Sequence, residues 1–212
     1  MNYEILASGS SGNCTILEKE IAIDMGVTFK KIKPYVKNLK LVLLTHCHID
    51  HFNESCIKKL AEERPTLRWA CGSWLVNSLV KCGVNLKNID VLLCDLEHKY
   101  SICSITPFKL YHDVKNFGYK IFLNDKKVLY ATDTRKIDHV EAKNYDLYLI
   151  ESNYKEEIIK KKMKEKEARG EFCYEKRVLE THLSDEQCNE WLWRNMGMNS
   201  HFVKLHRSKN NW

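Results

Sequence analysis

Four side chains that commonly bind metal ions lie within a short segment of the chain. They are His46, His48, Asp50 and His51 in residues 45–51. His46 and His48 alternate with Cys47 at the end of an apolar stretch, so both imidazoles are predicted to point to one side of an extended chain. Asp50 and His51 follow where the chain should turn, so this pair can face a neighbouring cation. Because histidine is the commonest metal ligand, the cluster predicts a metal site rather than a polar loop.

Cysteine usage indicates a reducing compartment. The chain has nine cysteines and no Cys-x-x-Cys pair, which is typical of reduced thiols in a cytoplasmic protein. We expect Cys47 to face away from the neighbouring imidazoles, as a core residue and not as a ligand. The start of the chain lacks the basic, apolar and small-residue order of a secretion signal, so a cytoplasmic location is predicted.

Length and composition favour one globular domain over residues 1–212. Hydrophobic residues make up 44% and charged residues 29%, and no apolar run approaches the roughly 18 residues of a membrane span. The net charge of +6 is concentrated in two Lys-rich stretches, near residues 30–40 and 155–169. These stretches could bind a polyanion.

Periodicity predicts a strand-rich chain with helices between the strands. Short apolar runs predict strands at residues 3–8, 13–18, 20–24, 40–45, 89–93, 102–111, 117–123, 126–132, 146–151 and 201–205. Helices are predicted at residues 28–38, after Asn53, at 73–82, at 154–169 and after Ser184, which has capping-box spacing to Gln187. Pro34 weakens the first of these helices. The pattern is α+β.

The arrangement His-x-His-x-Asp-His after an apolar strand resembles the signature of the metallo-β-lactamase superfamily. The resemblance implies a four-layer αββα sandwich with a dinuclear metal site at the edge of its two sheets. It also implies the ligands: His46, His48 and His112 for one metal, Asp50, His51 and His206 for the other, and Asp133 as the bridge. Asp24 in Asp24-Met25-Gly26 would support the site by orienting a ligand.

Three further segments resemble the small bacterial YycJ branch, which is related to ribonuclease Z. They are Leu6 to Asn13, Ala131 to Thr134 and Glu151 to Asn153. In ribonuclease Z-like relatives a histidine donates a proton to the leaving oxygen of a phosphodiester, and His182 resembles this donor, with Glu151 as the residue that orients it. The alternative is that His182 packs near a helix cap. His98, His139 and His201 lie outside any motif, so we expect them to be surface or core residues.

The implied chemistry is hydrolysis with two divalent cations, zinc first and manganese as the rival. Asp50 would serve as a ligand and proton acceptor. The leading hypothesis is a phosphodiesterase or nuclease with a nucleic-acid or phosphodiester substrate. A hydrolase of a lactone, thioester or cyclic nucleotide is the alternative, since fold does not fix substrate. A metal-stabilised binding module without activity is a third hypothesis, against which the presence of Asp50 argues. The oligomeric state and the physiological substrate are not determined by the sequence.

Overall fold

A computed structural model describes residues 1–208 of the chain. The chain divides into two compact units, Met1–Leu96 and Glu97–Trp212, and each contains a six-stranded mixed sheet. The single domain predicted from length stays a prediction. Over residues 1–208, no helix has both the length and the apolar character needed to cross a bilayer.

The sheet of the first unit has its strands in chain order. They are β1 (Tyr3–Ala7), β2 (Cys14–Leu17), β3 (Ile21–Ile23), β4 (Leu41–Leu44), β5 (Arg68–Cys71) and β6 (Ile89–Val91). The first three strands pair antiparallel, and β3 to β6 pair parallel. The carboxyl ends of β3 and β4 therefore lie at the same edge of the sheet, which is where the predicted residues Asp24 and His46 follow.

Three helices accompany this sheet: α1 (Phe29–Ile32), α2 (Glu54–Glu63) and α3 (Val76–Lys81). The predicted helix at 28–38 is too long, because Pro34 has no N–H to continue the hydrogen-bond ladder, and residues 33–38 form turns instead. The predicted cap of α2 is confirmed, since the Asn53 side chain accepts a hydrogen bond from the Cys56 N–H. Ile57 and Leu60 of α2 are buried in the core.

The sheet of the second unit has the order β12-β11-β10-β9-β8-β7. Its strands are β7 (His98–Lys99), β8 (Ser104–Tyr111), β9 (Lys115–Leu123), β10 (Lys126–Ala131), β11 (Leu147–Glu151) and β12 (His201–Leu205). Strands β10, β11 and β12 are parallel. Strand β8 runs in the same direction as β10, because both pair antiparallel with β9. Four strands of this sheet therefore end at one edge.

The helices of the second unit are α4 (Glu156–Ala168), α5 (Glu175–Thr181) and α6 (Asp185–Asn195). The predicted capping box at Ser184 and Gln187 is confirmed. Helix α5 was not predicted, because its only apolar residues, Val178 and Leu179, are adjacent and show no helical period. It is nevertheless formed, since Val178 packs with Ile159 of α4 in a small separate core.

Candidate metal centre

The three imidazoles of residues 45–51 converge in the first unit. His46 Nε2 lies 3.2 Å from His48 Nδ1, and the ring centroids of His46 and His51 are 4.1 Å apart. The predicted orientation of His46 and His48 to one side is confirmed. His46 and His51 are fully buried, whereas Asp50 is partly accessible.

Asp24 fixes two of these rings from behind. Its carboxylate lies 2.7 Å from His51 Nδ1 and accepts hydrogen bonds from the backbone N–H and hydroxyl of Thr45, both at 2.9 Å. The Thr45 hydroxyl lies in turn 2.9 Å from His46 Nδ1. Engagement of Nδ1 by a protein oxygen, with Nε2 directed towards the other candidate ligands, is the usual arrangement of metal-binding histidines. Asp24 itself adopts a left-handed backbone conformation, with φ of 62°, which is uncommon outside glycine and is found at functional sites.

Asn13 holds Asp50 and His51, a role that the sequence did not reveal. Its backbone N–H donates to the Asp50 carbonyl at 2.6 Å, and its side-chain nitrogen lies 3.2 Å from Asp50 Oδ2 and 2.8 Å from His51 Nε2. Gly26 completes this contact, because a Cβ there would overlap the Asp50 carbonyl oxygen. The last residue of the glycine-rich turn at 8–13 therefore positions two predicted ligands.

The prediction that Cys47 is a core residue is wrong, since Cys47 is exposed. Strand β4 ends at Leu44, so Cys47 lies in the loop after it. Both faces of β4 are buried, whereas in the loop the side opposite the imidazoles faces solvent, so that Cys47 and Ile49 are both exposed.

Strand ends also place the candidate residues of the second unit. Asp133, Glu151 and His206 lie at or just after the ends of the parallel strands β10, β11 and β12. Asp133 and His206 adopt left-handed conformations, with φ of 60° and 53°. One oxygen or nitrogen from each of Asp133, Glu151, His182 and His206 lies within 4.8 Å of the others. The parallel topology brings together residues that are far apart in the sequence.

Glu151 and His182 form the closest pair in this cluster. Glu151 Oε1 lies 2.6 Å from His182 Nδ1, and Oε2 accepts a 2.8 Å hydrogen bond from the Thr134 N–H. Burial alone would lower the pKa of His182, but the charge and hydrogen bond of Glu151 outweigh burial and raise it. Burial would likewise raise the pKa of Glu151, and His182 lowers it instead. The pair therefore favours a carboxylate beside a protonated imidazole.

His112, which follows β8, presents one nitrogen to the same cluster. Its Nδ1 lies 3.0 Å from the carbonyl oxygen of Thr181, and its Nε2 lies 3.8 Å from Asp133 Oδ1. Burial lowers the pKa of His112, against the opposing effect of Asp133. A neutral imidazole with Nδ1 engaged is suited to bind a cation through Nε2.

Two further asparagines, also missed in the sequence, hold the strand ends. The Asn116 side chain donates to the carbonyls of Thr132 and Asp133 at 2.9 and 2.8 Å. The Asn153 side chain donates to the His206 carbonyl at 2.8 Å and lies 3.1 Å from its Nδ1. Asn153 belongs to a segment that the resemblance had marked, whereas nothing in the sequence singled out Asn116.

The donors in both units suit divalent cations. Each unit combines buried imidazoles with carboxylates, and several of the imidazoles have Nδ1 held by a protein oxygen. Imidazole nitrogen and carboxylate oxygen are ligands for zinc and manganese. His98 is partly buried and His139 and His201 are exposed, consistent with the surface or core positions expected for them.

Comparison with known families agrees with this chemistry. The sequence model of the beta-lactamase superfamily domain matches residues 23–194, which is most of the chain. The chain therefore belongs to the beta-lactamase superfamily, and the predicted resemblance is confirmed.

Individual relatives define the fold more closely. The chain is similar to the exodeoxyribonuclease WalJ of Streptococcus pneumoniae, with 29% identity over 99% of this chain and 82% of WalJ. The metallo-β-lactamase fold protein YhfI from Bacillus subtilis superposes with a TM-score of 0.76 at 16% identity, covering 98% of this chain and 86% of YhfI. The short form of human tRNase Z superposes with a TM-score of 0.69 at 13% identity, covering 99% and 93%. The predicted metallo-β-lactamase fold is confirmed.

Proposed function

We propose that this chain is a divalent-metal-dependent phosphodiesterase that cleaves nucleic acid. The Glu151–His182 pair, at 2.6 Å and beside Asp133 and His206, carries the proposal. Cleavage of a phosphodiester releases an alkoxide that needs a proton, and an imidazole oriented by a carboxylate can supply it. Superfamily membership and the similarity to an exodeoxyribonuclease over nearly the whole chain support the same activity.

In the proposed centre, seven residues bind two cations. By the resemblance, His46, His48 and His112 would hold one cation, Asp50, His51 and His206 would hold the second, and Asp133 would be shared between them. The Nδ1 atoms of His46, His51 and His112 already face protein oxygens, which supports coordination through Nε2. Zinc is the first choice, and manganese suits the same donors. When bound, two such cations lower the pKa of a water and stabilise the attacking and leaving oxygens.

Protein side chains divide the remaining work. Asp50 is partly accessible and can accept a proton, and Asn13 keeps its carboxylate in place. Asp24 orients His51 without contacting substrate. His182 holds the proton for the leaving group on Nε2, because Nδ1 faces Glu151. The charge of Glu151 raises the pKa of His182, which favours the protonated imidazole.

Metal content and a panel of substrates test the proposal. Purified protein loaded with Zn²⁺ or Mn²⁺ should cleave DNA or RNA and a chromogenic phosphodiester in preference to a lactone or thioester. A cyclic nucleotide belongs in the panel, because its exclusive cleavage would favour the small-molecule alternative. Asp133→Ala should lose metal and activity by more than the roughly 10- to 100-fold seen for residues outside the ligand set.

Asp138→Ala is the matched control, since Asp138 is an exposed carboxylate paired with Arg194. It should keep both metals and full turnover. Two metals and undiminished phosphodiesterase activity in Asp133→Ala would refute the proposed centre.

A further inference from the structure

Two aromatic side chains project into solvent from the segment that joins α4 to α5. Phe172 is 86% exposed and Tyr174 is 51% exposed. Arg169, Lys176 and Arg177 flank them in the sequence. Exposed ring faces among cations are the combination that binds single-stranded nucleic acid, because bases stack on the rings while phosphates meet the charges. We call residues 169–177 the aromatic segment.

The aromatic segment is held at both of its ends. Lys166 of α4 donates to both carboxylate oxygens of Glu175, at 2.8 and 2.9 Å, and the Glu171 N–H donates to the Lys166 carbonyl at 2.9 Å. The core contact between Ile159 and Val178 ties α4 to α5. The rings are therefore presented on an ordered support, which reduces the entropy lost when a ligand binds.

Helix α5 connects the aromatic segment to the candidate centre. The helix begins directly after Tyr174 and ends at Thr181, whose carbonyl faces His112 Nδ1, and His182 follows. Seven helical residues span about 10 Å. The aromatic segment and His182 therefore lie at the two ends of one short helix.

The charge around the rings suits a polyanion. Residues 160–177 contain eight Lys and Arg against four Glu. All three cations that flank the rings pair with carboxylates at the surface: Arg169 with Glu171, Lys176 with Glu167 and Arg177 with Asp113. Exposed pairs of this kind contribute little free energy, so a phosphate can displace the carboxylate.

We propose that Phe172 and Tyr174 form a stacking platform for the bases of a single-stranded nucleic acid, at the end of α5 opposite His182. This inference rests on the proposed function and specifies its substrate. A platform that recognises ring faces is tolerant of base sequence. It can take the unpaired bases of a strand end, since paired bases keep their faces stacked within the duplex.

The test compares Phe172→Ala/Tyr174→Ala with Trp193→Ala, in the metal-loaded protein. Trp193 is a matched control, because it is an equally accessible aromatic residue on α6, 84% exposed. The probes are a fluorescent twelve-nucleotide oligothymidine and a chromogenic phosphodiester without bases. The double variant should weaken oligonucleotide binding about 5- to 150-fold for each base that no longer stacks. KM for the oligonucleotide should rise more than kcat falls, and Trp193→Ala should match the wild type.

Conservative variants and substrate length complete the test. Phe172→Tyr and Tyr174→Phe, which keep an aromatic ring, should bind oligothymidine as the wild type does. A dinucleotide is too short to span the roughly 10 Å of α5, so it should not distinguish the double variant from the wild type. Equal affinity of the double variant and the wild type for oligothymidine would overturn the platform, while cleavage by the wild type would leave the nuclease function standing. An equal loss on the base-free substrate would also overturn it, because the segment would then only support α5. If the metal-loaded wild type cleaves no nucleic acid, the proposed function fails first and the platform with it.

Discussion

The two units supply their candidate metal-binding side chains in opposite ways. In the first unit the candidates lie together at residues 46–51, in the loop between β4 and α2. In the second unit they are spread from His112 to His206, and the shared direction of β8, β10, β11 and β12 brings their strand ends to one edge. The first arrangement is a local motif, whereas the second is a product of topology.

This difference decides how each half is stabilised. The candidates at residues 46–51, which we call the contiguous segment, depend on a few neighbouring contacts, chiefly those of Asp24 and Asn13. The candidates from His112 to His206, which we call the dispersed cluster, depend on correct pairing of distant strands. They also depend on α5, which ends at Thr181 and is followed by His182. In both halves a buried asparagine, which is not itself a predicted ligand, holds a segment that carries predicted ligands.

The largest effect should come from separating the roles of His182 and His206 within the dispersed cluster. His182→Ala should keep both metals yet lose about 100- to 10,000-fold in turnover on a nucleotide linkage, because it removes the proton donor. His206→Ala should weaken one metal and turnover together. Metal analysis and single-turnover kinetics measure the two effects.

The leaving group provides the control for this prediction. A nitrophenyl ester departs without much protonation, so His182→Ala should slow its hydrolysis much less than it slows cleavage of DNA. Loss of metal in the His182 variant, with metal retained in the His206 variant, would mean that the two roles are exchanged.

A smaller loss of metal affinity is expected when the asparagines that hold the two halves are replaced. Asn13→Ala removes contacts to the side chains of Asp50 and His51, whereas Asn116→Ala removes contacts only to backbone carbonyls. Both should weaken metal affinity within the roughly 10- to 100-fold range of outer contacts, with Asn13→Ala the larger. Competition with a chelator measures the affinity.

The control for this comparison is Asn189→Ala on the exposed face of α6, where the side chain donates a hydrogen bond to Asp185. Metal affinities of Asn13→Ala and Asn189→Ala that coincide would show that the contiguous segment needs no support from Asn13.

The contrast between the halves also explains what the sequence could predict. The spacing of the ligand-type residues at 45–51 predicts a metal site directly. Strands with a clear apolar period were predicted to within a few residues. His112, Asp133 and His206 could be selected only by resemblance, because no local pattern shows that their strands end at one edge. Asn116 lies inside β9, and its hydrogen bonds to the carbonyls of Thr132 and Asp133 form only because β10 lies beside β9. Helix α5 was missed since it is stabilised by α4 and not by its own periodicity.

The smallest effect concerns the support of α5, on which the dispersed cluster depends and the contiguous segment does not. Glu175 is buried and bonded to Lys166. Burial would raise the pKa of Glu175, but Lys166 outweighs it and lowers the pKa below the ordinary 4.5. A lowered folded-state pKa stabilises the fold above the unfolded value, and this stabilisation is lost as pH falls through the folded value.

Glu175→Gln should therefore lower the free energy of unfolding by about 1 kcal/mol at pH 7. The difference from the wild type should shrink once the pH falls below 4.5, in urea unfolding measured across that range. Glu167→Gln is the matched control, since Glu167 forms an exposed pair with Lys176, and its effect should stay within about 0.5 kcal/mol at every pH. Hydrogen exchange should locate the loss in α5 and leave α2 of the first unit unchanged. A difference of the same size at pH 3 and pH 7 would show that the charge of Glu175 does not stabilise α5, and that the dispersed cluster is held by its strands alone.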